Sequence, residues 1–191
     1  MRTVYLTATS IDGFIADRKH SLDWLFESGP ELSSTSFPEL ISSTGALAMG
    51  SSTYEWLLEH EIKPGSAEEK PWPYSQPSWI FTSRRLPVVP NADVQFVSGD
   101  VKPVHDEMKR RAGAKKVWIV GGGDLAGQFH DAGRLDDIVL MVVPVTLGEG
   151  FPVFPRESTR PPFNLVSVRH CGNSVELHYQ CSRVDEDVSD R

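Results

Sequence analysis

The chain has 191 residues, of which 39% are hydrophobic and 24% charged, and a formal net charge of −7. This composition is ordinary for a globular protein, and the length favours one domain over two. The negative charge argues against a protein that binds nucleic acid through a basic face, and no apolar run reaches the roughly 20 residues of a membrane span.

The first residues are not typical of a signal peptide, because they alternate in polarity and carry Asp12 and Asp17. We therefore expect a soluble, cytoplasmic protein without a membrane partner. Six scattered histidines and two cysteines show no metal-ligand spacing, so no metal site is expected.

The first half of the chain predicts strands that alternate with helices. Val4, Leu6 and Ala8 alternate with polar or aromatic neighbours, which is typical of a strand. In chain order, the predicted elements are a strand over 2–9, a loop over 10–24, a helix over 36–44, a short buried strand that ends at Gly50, a helix from about Thr53 capped by Ser51 or Ser52, and a surface loop over 61–77.

The second half continues the alternation and closes with a hairpin. Its predicted elements are strands over 78–83 and 94–98, a helix over 101–113 with Pro103 near its first position, a strand over 116–120, a helix over 124–133, an apolar strand over 136–145, and two strands within 163–182 around Gly172 and Asn173. This order predicts an α/β fold, with a mostly parallel sheet and an antiparallel edge, in a single domain over 1–182. The acidic end, 183–191, is expected to fray.

Cys171 and Cys181 leave two interpretations open. On neighbouring antiparallel strands the two thiols could face each other, or they are two small buried residues in a reducing compartment. The second interpretation is the simpler.

The stretch IVGGGDLAGQF, residues 119–129, places three glycines between a strand and a helix. Glycines let a backbone approach a ligand closely, and a helix N-terminus is suited to phosphate. The spacing fits neither G-x-G-x-x-G nor a phosphate-binding loop, and Asp124 would repel a phosphate placed directly on the turn. Taken alone, the stretch is equally well explained as a tight turn with packing glycines.

Two further strand ends favour the nucleotide interpretation. Gly50 precedes three hydroxyl residues, Ser51, Ser52 and Thr53. The next strand ends in the stretch IFTSRR, whose last four residues are Thr82, Ser83, Arg84 and Arg85. Ligands of parallel α/β sheets bind outside the carboxyl ends of the strands, and arginine pairs with phosphate. Glycine, hydroxyl and arginine residues at three such ends indicate a dinucleotide more readily than three coincidences.

At this point the chain resembles the dihydrofolate reductase-like superfamily, and within it the reductase domain of riboflavin biosynthesis. The resemblance spans about 2–182 and is carried by the segments LTATSIDGFIA, LAMGSSTYEWL, WIFTSR, VWIVGGGDLAGQF and PVTLGEGFPVF. It implies an NADPH-dependent reductase, with NADH possible, that transfers hydride to a small heterocycle. The reaction type implied is that of a 5-amino-6-(5-phosphoribosylamino)uracil reductase, and the assembly implied is a homodimer.

The resemblance also assigns roles to residues. Asp12, Gly13 and Trp24 would border the substrate, although Asp12 is equally suited to ordering its loop. The glycine turn would lie under the nicotinamide and diphosphate with a cis peptide between two glycines, and Thr82, Ser83 and Arg84 would line a 2′-phosphate site. The implied cofactor-binding residues are Ala8, Ile15, Gly50, Ser51, Ser52, Thr53, Thr82, Ser83, Arg84, Gly121, Gly122, Gly123, Asp124 and Leu125.

Departures from the superfamily pattern narrow the expected activity. Dihydrofolate reductases usually carry arginine at the position of Ser51, and neither Glu27 nor Glu31 falls at the spacing of their catalytic carboxylate. Dihydrofolate reduction is therefore not expected. The alternative is a non-catalytic nucleotide-binding or oligomeric interaction module on the same fold. His20 is expected to be a solvated loop residue, and Phe151 to lie in a turn before an edge strand.

Overall fold

The computed structural model describes residues 1–28 and 34–182. Its strands are β1 (Thr3–Ser10), β2 (Phe14–Ala16), β3 (Thr44–Gly50), β4 (Ser78–Phe81), β5 (Val94–Val97), β6 (Lys116–Gly121), β7 (Asp137–Val143), β8 (Phe151–Pro152), β9 (Asn164–Cys171) and β10 (Ser174–Gln180). Its helices are α1 (Asp23–Glu27), α2 (Phe37–Ser43), α3 (Ser51–Trp56), α4 (Val101–Ala112) and α5 (Gly123–Asp131), and α3 continues into a π-helical turn, Leu57–Ile62.

Eight strands form one sheet in the order β5-β4-β3-β6-β1-β7-β10-β9, and β2 pairs with β8 in a separate ribbon. The first six strands in this sheet order, from β5 at the edge to β7, are parallel. Strand β10 is antiparallel to β7, and β9 is antiparallel to β10. The predicted fold class, a mostly parallel α/β sheet with an antiparallel C-terminal hairpin, is confirmed.

The central strands of the sheet are covered on both faces, and consecutive strand residues, which point in opposite directions, contribute to different clusters. Tyr5 and Ile119 pack with α4 and α5 on one face, and Val4 and Trp118 pack with Leu40 of α2 on the other. A third cluster packs α3 and the π-helical turn against Met49 and Ile80. The strands are therefore held on both sides, and their carboxyl ends form a fixed edge.

Several predicted boundaries are wrong for local reasons. The predicted loop over 10–24 contains β2, which is too short for an alternation signal, and the start of α1. Neither Ser51 nor Ser52 caps the next helix, because the helix begins at Ser51 and its N-cap is Gly50. Pro103 is the third residue of α4 rather than the first, and Asp100 caps that helix by accepting a hydrogen bond from Lys102 N at 2.9 Å.

Both cysteines are free and buried, as the simpler interpretation predicts. Cys171 is the last residue of β9, whereas Cys181 follows the far end of β10, so the hairpin separates them. Burial raises the pKa of the Cys181 thiol to about 12. The thiols are therefore apolar packing residues rather than a redox pair.

The outer strand β9 presents apolar side chains to solvent. Leu165, Val166 and Val168 are each more than half exposed at this edge of the sheet. The implied homodimer and the extent of the single domain stay predictions, and the expected frayed tail, 183–191, lies outside the described residues. Across the described part of the chain, no helix is both long and apolar enough to cross a membrane.

Candidate functional site

Three of the strand ends singled out from the sequence lie side by side. Strand β3 is flanked by β4 and β6, with Gly50 opposite Phe81 and Met49 opposite Gly121. The parallel direction of all three strands brings their carboxyl ends to the same edge of the sheet. The residues that follow β3 and β6 therefore open onto one place.

That place is a cavity of about 430 Å³. Its volume lies in the range of small-molecule and cofactor sites. Its walls come from the ends of β1, β3, β4 and β6, the first turns of α3 and α5, and the segments around β2, α1 and β8. The lining residues are Thr7, Ala8, Ile15, Ala16, His20, Leu22, Leu25, Gly50, Ser51, Ser52, Thr53, Trp56, Phe81, Val120, Gly121, Gly122, Gly123, Asp124, Leu125, Gln128, Phe151, Pro152 and Pro155.

Two glycines leave the floor of the cavity open. Gly50 is the N-cap of α3 and Gly122 the N-cap of α5, and neither helix start has a side-chain cap. A Cβ added to either glycine would meet no atom within 4 Å. The first-turn N–H groups of both helices have no intrahelical acceptor, so they are free to bind an anion that lies in this space.

The two other glycines of the turn lie against neighbouring atoms, a side-chain hydroxyl at Gly121 and backbone carbonyl groups at Gly123. A Cβ on Gly121 would lie 2.7 Å from Thr53 Oγ1, and one on Gly123 would lie 2.5 Å from the Val153 carbonyl oxygen. The peptide bond between Gly121 and Gly122 is cis, as the resemblance implies. The turn thus combines close packing on one side with an open approach on the other.

Asp124, which the sequence analysis expects to repel a phosphate on the turn, has hydrogen-bond partners in the structure. Its carboxylate accepts hydrogen bonds from Gln128 Nε2 at 2.8 Å and from Arg156 Nη1 at 3.0 Å. These two bonds hold the pKa of Asp124 below its usual value, so the group is ionised at neutral pH. Because Arg156 compensates this charge, Asp124 repels an anion at the turn less than the sequence suggests.

Comparison with known proteins gives the family of this chain. The family model of the RibD C-terminal domain matches residues 3–177. The chain belongs to this family. It is also 27% identical to the uncharacterized protein YwjB of Bacillus subtilis, over 93% of this chain and 97% of that one.

Two solved structures extend the comparison. A putative riboflavin biosynthesis protein of Shewanella sp. PV-4 superposes with a TM-score of 0.78 at 26% identity, and the match covers 96% of this chain and all of that one. Dihydrofolate reductase of Enterococcus faecalis, solved with NADP(H), superposes with a TM-score of 0.59 at 15% identity, and the match covers 95% of this chain and 97% of that one. The dihydrofolate reductase-like fold is therefore shown.

Within this RibD C-terminal domain, the cavity brings together most of the residues expected to hold a cofactor. These are Ala8, Ile15, Gly50, Ser51, Ser52, Thr53, Gly121, Gly122, Gly123, Asp124 and Leu125. Thr82, Ser83 and Arg84 lie outside its lining, beyond the end of β4. Arg84 makes a two-pronged ion pair with Glu55 of α3, at 2.8 and 2.6 Å.

The residues expected to border the substrate lie outside the lining. Asp12 orders its loop, because its carboxylate accepts hydrogen bonds from Ser10 Oγ at 2.6 Å and from the Gly148 amide at 2.7 Å. Gly13 has a positive φ of 83° and its carbonyl accepts a hydrogen bond from the Val153 amide. Trp24 is half-buried on α1. For Asp12, the loop-ordering interpretation left open by the sequence is the one that these contacts favour.

Two residues given another role by the sequence analysis line the cavity. The ring of His20 stacks on that of Phe151, with centroids 4.0 Å apart. His20 is exposed, as expected of a loop residue, but its positive φ of 63° is unusual for histidine and turns the loop at the cavity mouth. The pairing of β2 with β8 brings the two segments together, and no local sequence signal announces that pairing.

Proposed function

We propose that this chain is a nicotinamide-dependent reductase that transfers hydride from NADPH to a small heterocyclic substrate. The observation that carries this proposal is that the helix starts at Gly50 and Gly122 open onto one cavity. Both positions lack a Cβ, so the backbone is accessible from the space that a side chain would otherwise enter. Family membership, the riboflavin biosynthesis protein of Shewanella and the NADP(H) complex of the Enterococcus enzyme support the same reading.

The residues present fit such a dinucleotide. The first-turn N–H groups of α3 and α5, with the hydroxyl groups of Ser51, Ser52 and Thr53, would hold the diphosphate. Ala8 of β1 and Ile15 of β2 would lie beside the nicotinamide. A reduced nicotinamide bound there supplies a hydride, and hence two electrons, to an electrophilic carbon of the substrate.

The chain's own residues would orient the reaction. Gly122 of the glycine turn leaves room for close approach, and apolar residues of α1 and β2 contribute to the lining. Reduction of a C=N or C=C bond also takes up a proton. Among the described lining residues, His20 is the ionisable side chain that takes part in no ion pair, so we assign proton delivery to its imidazole or to water held by it.

The preference for NADPH over NADH rests on Arg84. Arg84 follows the end of β4, whose last residue, Phe81, lines the cavity, and Glu55 holds its guanidinium through both terminal nitrogens. A pair this exposed contributes at most about 1 kcal/mol to folding, so Arg84 is free to exchange Glu55 for a 2′-phosphate.

Titration of NADPH and NADH, followed by thermal unfolding, tests the proposal. A hundredfold excess of NADPH over its Kd should raise the free energy of unfolding by about 2.7 kcal/mol. Arg84→Ala should weaken NADPH about tenfold and leave NADH unchanged, since the lost contact is one charge-assisted hydrogen bond. Arg85→Ala, on the neighbouring exposed arginine, is the matched control.

Each outcome of this titration decides a part of the proposal. No stabilisation by either cofactor at millimolar concentration would contradict a nicotinamide-dependent reductase. Equal weakening of NADPH and NADH in Arg84→Ala would contradict the 2′-phosphate contact. Tight NADPH binding without oxidation of NADPH by any heterocycle would favour the non-catalytic module.

A further inference from the structure

We propose that the substrate half of the cavity takes an uncharged, flat ring compound that carries no phosphate. This inference rests on the proposed function, because it concerns the space left once the nicotinamide lies against the glycine turn. Of the two parts of a phosphoribosylaminouracil, the inference is that the cavity binds the ring and does not bind the phosphate.

A group of apolar side chains lines the cavity. Leu22 is the N-cap of α1 and Leu25 belongs to α1, Ile15 comes from β2, Trp56 from the end of α3 and Phe151 from β8. These side chains come from four different elements, and three of those elements are fixed by pairing or by packing in the core. Aliphatic and aromatic walls of this kind favour flat apolar surfaces and stacking over charged groups.

No lysine or arginine belongs to the lining, as far as residues 1–28 and 34–182 are concerned. The intervening segment, 29–33, has the sequence GPELS and contains no cation either. The ionisable side chains of the lining are His20 and Asp124, and Asp124 is an anion. The first turns of α3 and α5 would be occupied by the cofactor's diphosphate, so a substrate phosphate elsewhere in the cavity would give up its hydration without gaining a cationic partner.

Three arginines that follow or precede lining segments have carboxylate partners. Arg18 pairs with Glu149, Arg156 pairs with both Asp124 and Asp131, and Arg84 pairs with Glu55, which it would exchange for the cofactor's 2′-phosphate. Arg156 packs against α5, because its guanidinium carbon would lie 2.7 Å from a Cβ on Gly127. Recruiting Arg156 to a substrate phosphate would cost it its ion pairs with two aspartates.

His20 offers a polar contact to a ring edge. The imidazole of His20 can donate or accept a hydrogen bond, and its stacking on Phe151 fixes the plane of the ring. The same wall thus provides apolar faces for a planar substrate and one nitrogen for a ring carbonyl or ring nitrogen. An uncharged nitrogen heterocycle satisfies both.

The test compares matched probes on the full chain saturated with NADP⁺. Calorimetric titrations use 5-amino-6-(ribosylamino)uracil and its 5′-phosphate as the matched pair, quinoxaline as a plain aromatic heterocycle, and ribose 5-phosphate as a phosphate without a ring. We expect the unphosphorylated uracil to bind at least tenfold more tightly than its phosphate, quinoxaline to bind, and ribose 5-phosphate to cause no heat change up to 10 mM, roughly ten times a weak millimolar Kd.

A variant that adds a cation to the lining tests whether the missing cation is what prevents phosphate binding. Leu25→Lys should bring ribose 5-phosphate binding into range and reverse the preference within the matched pair, whereas Leu25→Met should leave the preference unchanged. A circular-dichroism melt of each variant verifies that it folds. Preference of the unaltered chain for the phosphorylated uracil, or failure of all the uncharged probes to bind, would overturn the inference.

Failure of the inference is distinguishable from failure of the proposed function. NADP⁺ binding is measured before any probe is added, and its absence contradicts the reductase itself. Normal NADP⁺ binding together with preference for the phosphorylated probe contradicts the substrate class alone.

Discussion

Gly123→Ala is expected to destabilise the protein strongly, whereas Gly50→Ala is expected to leave it folded but unable to bind the cofactor tightly. A Cβ on Gly123 would collide with the backbone carbonyl oxygens of Pro152 and Val153. Backbone atoms cannot turn aside as a flexible side chain can, so we expect a loss of about 3 kcal/mol or more. For a chain of this length, that lowers Tm by about 6–12 °C.

Gly50 provides the matched comparison because the same substitution meets open space. Its φ of −77° and ψ of 166° are accessible to alanine, and the loss of a glycine N-cap costs about 1 kcal/mol or less. The new methyl group would lie in the cavity where the backbone is expected to approach the diphosphate, so NADPH affinity should fall tenfold or more. Thermal melts and NADPH titrations of both variants measure the two effects separately. Stable Gly123→Ala, or Gly50→Ala with unchanged NADPH affinity, would contradict this assignment of the two glycines.

His105 is expected to make the protein lose stability as the pH falls from 6.5 to about 4. Its ring is 97% buried on α4, its Nε2 lies 2.7 Å from Thr3 Oγ1, and Phe129 packs edge-on against it. Burial, followed by the charges of Lys109 and Arg134, lowers the pKa of His105 to about 4.

The direction of the effect follows from which state binds the proton. Between pH 6.5 and 4 the unfolded chain protonates this histidine and the native protein does not, so acidification favours unfolding. The contribution is fully present above pH 6.5, and about 3 kcal/mol of it is lost by pH 4. Urea unfolding at a series of pH values measures the slope, which His105→Gln should reduce by up to about 1.4 kcal/mol per pH unit. His170→Gln, on the exposed strand β9, is the control and should keep the wild-type slope; an unchanged slope in His105→Gln would refute the prediction.

The sequence is sufficient to predict the sheet because its signals are local. Alternation in β1 and the glycines that follow β3 and β6 are read directly from neighbouring residues. Parallel strands place their carboxyl ends at one edge, so the fold class predicts that the ends of β3 and β6, where Met49 lies opposite Gly121, open on the same side of the sheet. The roles assigned to these residues toward a cofactor stay predictions.

What the sequence did not reveal depends on contacts between distant segments. Glu55 holds Arg84 across 29 positions, and Arg156 neutralises Asp124 across 32. The stacking of His20 on Phe151 depends on a three-residue strand that pairs far along the chain. Charge partners and cavity walls of this kind are set by tertiary packing, which leaves no periodic signal in either segment.

A crystal structure of the chain with NADPH tests the central claim most directly. We expect the diphosphate oxygens within about 3 Å of first-turn N–H groups of α3 and α5, and the nicotinamide beside Ala8 on β1. A dinucleotide bound elsewhere on the protein, or a cavity that stays empty at saturating NADPH, would contradict it.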